Sequence, residues 1–214
     1  METKPVTVNT LLISAAAVIC IELAAGSLIS RGILPSSIAL GFARILQILA
    51  MVVILRKLEK GLKVVGVTQS TILPGLQRGI LWSLCFGFAS ALVFGALLLI
   101  GINVTNLFQA PLFSSPDELF FYFLVGAIFG PAAEELFFRG LLFGYFRKFG
   151  FAPALIVSTL LFILAHMAGG GIPITQIVGG ILFAVAYELE KNLLVPIVIH
   201  CLGNLAIFSL AFML

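Results

Sequence analysis

Two adjacent glutamates and an arginine interrupt an apolar run at residues 131 to 140, PAAEELFFRG. The only two histidines of the chain fall inside later apolar runs, in FILAH ending at His166 and HCLGN beginning at His200. On a helix Glu135 and Arg139 stand four apart and share a face, with the acid N-terminal to the base, the favourable order. Glu134 is turned about 100° away from them. The arginine therefore neutralises Glu135 and leaves Glu134 available. Phe162 and His166 are likewise four apart, as are His200 and Asn204, so each pair projects from one helix face.

Such a set suits hydrolysis. A carboxylate in an apolar cavity is a good proton acceptor for a general base working on water, and His166 can orient that water or share its proton. His200 and Asn204 are fit to donate hydrogen bonds to the oxyanion formed when water attacks an amide carbonyl. A nucleophile is not evident: no serine has a nucleophile-elbow context, and Cys201 points about 100° away from His200. Each group alone has a bland reading as an interhelical contact. Together they raise the cost of membrane insertion several times over, which favours a site.

The elements that position these groups are apolar helices. Of 214 residues, 61% are hydrophobic and 10% charged, with mean hydropathy +1.22, whereas soluble domains are about a quarter charged. The expected fold is all-α: one polytopic transmembrane helix bundle of about seven spans (six to eight) whose last four form the core of the site. Candidate spans cover 8–30, 36–55, 79–102, 118–146, 152–168, 172–189 and 193–213. Residues 1–117 then supply N-terminal spans and a connector, and 118–214 the catalytic part of a single membrane domain. The first run is long enough to span and is taken as an uncleaved helix rather than a signal peptide.

Placing the N-terminus in the cytoplasm puts all the loop Lys and Arg residues inside except Arg31. The net charge of +3 comes from short juxtamembrane clusters, which marks topology and not nucleic-acid binding. Cys20, Cys85 and Cys201 lie in apolar runs and are odd in number, so a disulfide framework is not expected. Glu22 and Arg44 are buried charges on neighbouring antiparallel spans and are expected to pair. Residues 118–148 are too long for one perpendicular crossing, and a break is expected at Pro131, which follows Gly126 and Gly130. Counted along the helices, Glu134, His166, His200 and Asn204 lie about 20, 21, 10 and 17 Å from the basic turns. The cavity is expected to open on the side of those turns.

EELFFR, FILAH and HCLGN resemble the EExxxR, FxxxH and HxxxN motifs of the CPBP intramembrane protease family, which includes type II CAAX prenyl endopeptidases and the Abi or bacteriocin-processing proteins. The resemblance covers roughly residues 118–210 and departs at no motif position. It implies a glutamate-dependent intramembrane endopeptidase acting on a membrane-anchored protein or peptide, and the short chain with few extramembrane residues fits a prokaryotic cytoplasmic membrane. Glu134 would be the base, His166 its partner, His200 and Asn204 the oxyanion stabilisers, with Glu135, Arg139 and Phe162 in support. It implies no cofactor. A zinc-dependent protease on Glu134, His166 and His200 stays open beside it, as do a non-catalytic immunity or scaffold protein and a proton-coupled transporter.

Overall fold

The computed structural model describes residues 5–102, 116–167 and 173–213, and those residues hold helices and turns with no strand. Seven helical stretches follow one another: α1 (Val8–Ser30), α2 (Ser36–Leu58), α3 (Ile72–Leu99), α4 (Pro116–Phe149), α5 (Phe151–Ala165), α6 (Ile174–Glu190) and α7 (Leu194–Met213). Five stretches, all but α5 and α6, are long and apolar enough to cross a membrane, and α5 is a shorter apolar helix. Large apolar side chains cover the outside of the bundle, among them Leu23, Leu84, Phe88 and Leu99, because lipid replaces water as the surrounding solvent. The external loop expected at 103–116 lies almost wholly outside the described residues.

α4 is the axis. Leu136, Leu141, Leu142 and Phe143 on it are buried, packed with Met51 and Leu55 of α2, Ala154 and Phe162 of α5, and Tyr187 of α6. The expected break at Pro131 is not a break. α4 runs on through the proline by widening to π geometry over Val125–Phe129 and again over Leu136–Phe143, on either side of the two glutamates. A π turn shifts the ladder by one residue and absorbs a missing donor without opening the helix.

Glu22 and Arg44 do pair, and the buried Gln47 completes the group, accepting from Arg44 (2.8 Å) and donating to Glu22 (2.9 Å). α3 lies closely along α7 because Gly79 leaves no side chain between them: a Cβ there would sit 2.6 Å from Cβ of Val198. Small residues at such contacts are how membrane helices gain packing energy.

The connector between α2 and α3 is more ordered than its polar, basic sequence suggests. Short 3-10 turns at Gly61–Val65 and Gln69–Thr71 tuck it under the α6–α7 turn. There Val65, fully buried, accepts from the Leu193 N–H (3.1 Å), and the Asn192 amide donates to the Thr71 carbonyl (2.7 Å). Gly66 has φ +81°, and a Cβ on it would meet the Lys191 carbonyl oxygen at 1.8 Å. Gly66→Ala should therefore cost about 2–3 kcal/mol from the strained φ and the clash together, seen as a lower melting temperature in detergent.

The other end of the connector ties down α1. Glu59 accepts from the Thr7 N–H (2.9 Å), the Thr7 hydroxyl (2.9 Å) and the Thr10 hydroxyl (2.8 Å). Burial alone would push this carboxyl up, but the three hydrogen bonds outweigh it and hold the pKa below the ordinary carboxylate value. A lowered carboxyl pKa contributes stability that is present above the unfolded-state value and lost as pH falls through the folded one. The melting-temperature advantage of the wild type over Glu59→Gln should thus be constant above the ordinary carboxylate range, from about pH 5 upward, and fade as the pH is lowered below that range.

Candidate active site

The four motif groups converge where α4, α5 and α7 meet. Oε2 of Glu134 lies 3.7 Å from Nε2 of His166 and 3.9 Å from Nε2 of His200. Both separations exceed a hydrogen bond, so the carboxylate is not bonded to either ring. The Glu134 and His166 side chains are 21% and 28% exposed while His200 is 7% exposed, so the cluster has one open side.

Glu135 is placed differently, as its helical angle predicts. It is fully buried and accepts from Arg139, also fully buried, at 3.0 Å. Its Oε1 also meets Nδ1 of His200 at 2.7 Å, a contact not legible in the spacing. Arg139 directs its other terminal nitrogen to the Gly180 carbonyl (3.1 Å), which also accepts from the Thr159 hydroxyl (3.2 Å). The guanidinium lies over the rings of Phe162 (4.6 Å) and Phe183 (5.2 Å), a setting that suits a delocalised cation.

The ring nitrogens follow from their partners. His166 Nδ1 lies 2.8 Å from the Phe162 carbonyl, and a carbonyl only accepts, so Nδ1 carries a proton. His200 Nδ1 donates in the same way to the Glu135 carboxylate, which fixes the ring as an aspartate fixes the histidine of a hydrolytic triad. Each histidine therefore turns Nε2 toward Glu134. Phe183, which sequence reading does not single out, stacks on His200 at 4.5 Å and 21°, and Phe162 meets the same ring edge-on at 5.9 Å.

Asn204 is hydrogen-bonded to backbone and not to Glu134. One turn beyond His200, its amide donates to the Gly126 carbonyl at 2.8 Å. Helix counting gives His200 a shallower position than His166, yet the two reach the same carboxylate. The 15 residues of α5 put His166 about 22 Å along the helix from the basic turn at 147–150. Among the described residues no group of three His, Cys, Asp or Glu side chains has metal-site geometry. The three cysteines are free.

A family model described as type II CAAX prenyl endopeptidase Rce1-like matches residues 116–206, the stretch that carries every group above. Over this stretch, somewhat under half of the chain, the match supports the resemblance to the CPBP intramembrane protease family. The CPBP assignment is supported by 33% identity over 140 residues to a protein named membrane-embedded CAAX protease MroQ from Staphylococcus aureus (strain USA300). That match covers 58% of this chain and 54% of the relative, so the chain spans about half the length of the curated protein it matches. No solved structure matches. The apolar helices and the match to a membrane protease family make this an integral membrane protein.

Proposed function

We propose that this protein is a glutamate-dependent intramembrane endopeptidase. The observation that carries the reading is the difference between the two glutamates. Glu135 is committed to Arg139 and His200, while Glu134 has no closer charged partner than two imidazole nitrogens at 3.7 and 3.9 Å. Glu134 takes a proton from a water held against His166, and the hydroxide oxygen bonds to the scissile carbonyl carbon. The oxyanion so formed accepts from Nε2–H of His200 when that ring carries both protons, with the Glu135 carboxylate facing the cation. Asn204 holds Gly126 with one amide hydrogen and has a second to offer the oxyanion. Collapse of the intermediate breaks the C–N bond, and Glu134 returns its proton to the leaving amine.

The substrate is a membrane-anchored protein or peptide, reached from the lipid side, because the cluster is embedded in helices whose outer faces are apolar. The basic loops set the N-terminus in the cytoplasm, and the membrane is a prokaryotic cytoplasmic one. Cleavage falls at or near the cytoplasmic half of the membrane, the side of those loops. The test is a comparison of membrane-proximal cleavage products in cells carrying the wild type or Glu134→Gln. Products that require the carboxylate support the reading, and identical product sets overturn it. A zinc-dependent reading on Glu134, His166 and His200 rests on the residue types alone, since among the described residues no group of three such side chains has metal-site geometry. It predicts that a chelator abolishes cleavage and added zinc restores it.

A further inference from the structure

α7 is attached to α4 at two points on either side of Pro131. His200 meets Glu135 at 2.7 Å, and Asn204, four residues later on the same face, meets the Gly126 carbonyl at 2.8 Å. The second attachment has a cause in the backbone of α4. In the π segment Val125–Phe129 the ladder runs five residues back: the Gly130 N–H donates to the Val125 carbonyl. The next donor in that register would be residue 131, reaching Gly126. Residue 131 is proline and has no N–H. The Gly126 carbonyl is thus left without a helical donor, and an unpaired carbonyl inside a membrane protein is costly. Asn204 supplies the missing hydrogen. The absence of a side chain on Gly126 permits the approach, since a Cβ there would meet the Phe208 ring at 2.8 Å.

We infer that Asn204 is a positioning residue: its amide stands in for the N–H that Pro131 lacks, and this bond holds His200 against the two glutamates. Two attachments fix the crossing of α7 on α4, whereas one leaves α7 free to swing about the His200–Glu135 contact. A swing of an ångström at His200 Nε2 would spoil the geometry with Glu134. The functional meaning of this bond rests on the reading of Glu134 as the base. The test reads geometry alone, so its failure is distinguishable from failure of that reading.

The coupling of Asn204 to Pro131 makes the inference testable by rescue. Alanine at 131 restores a backbone N–H that reaches Gly126 in the same register. In full-length protein in dodecylmaltoside, Asn204→Ala should lower the melting temperature by about 5 °C, the effect of orphaning one buried carbonyl. In a Pro131→Ala background the same change should cost no more than about 2 °C. The chain has two histidines, so 15N-histidine labelling reports His166 and His200 alone, assigned by the resonances lost in His166→Ala. Asn204→Ala should move the His200 ring signals, and Pro131→Ala with Asn204→Ala should return them toward wild type. Equal melting losses in both backgrounds would overturn the inference. So would His200 signals that do not move in Asn204→Ala, or that stay displaced in the double variant.

Discussion

Replacing Arg139 with methionine should cost about 3–5 kcal/mol, the loss seen when one member of a buried ion pair is removed and the other charge stays behind. The residue left behind is Glu135, fully buried and then facing only His200. Methionine fills much of the volume between Phe162 and Phe183 but supplies neither the charge nor the bond to the Gly180 carbonyl. Lysine should not rescue the variant, because a point-charge ammonium cannot reproduce a planar group that reaches two acceptors and lies against two rings. The readout is the yield of monodisperse protein in detergent and its melting temperature. Wild-type values in both variants would show that the charge cluster contributes little to folding.

Glu134→Gln has the opposite signature. Glu134 makes no hydrogen bond to the histidines it faces, and its side chain is 21% exposed, so the isosteric amide should leave yield and melting temperature unchanged. Loss of a general base typically costs 10²- to 10⁴-fold in rate, and an amide cannot take the proton of water at all. Adjacent carboxylates with opposite consequences, one governing folding and the other catalysis, are a stronger test than either variant alone.

The pairing of Glu135 with Arg139, and not of Glu134, is legible in the sequence because it depends on one helix: an acid and a base four apart must meet, and a neighbour turned by about 100° cannot join them. The Glu22–Arg44 pair is legible for a similar reason, since a short turn makes their helices antiparallel neighbours. Contacts that depend on which faces dock are not. Glu135 gains His200 only through the crossing of α4 and α7, and Phe183 is one apolar residue among many until α6 lays it on the imidazole. The π turns around Pro131 are hidden because proline at that position is equally compatible with a kink. The partner of Asn204 is a backbone carbonyl, which has no side-chain signature. The connector reads as a loop because its docking depends on a left-handed glycine and one buried valine.

The central claim is that the carboxylate of Glu134 performs the chemistry. Once a cleaved membrane protein has been identified in cells, it can be reconstituted with purified wild type and with Glu134→Gln at matched melting temperature, and the initial rate of peptide-bond cleavage measured. The account predicts cleavage by the wild type and a rate at least about 10²-fold lower with glutamine. Cleavage by Glu134→Gln at the wild-type rate would contradict it.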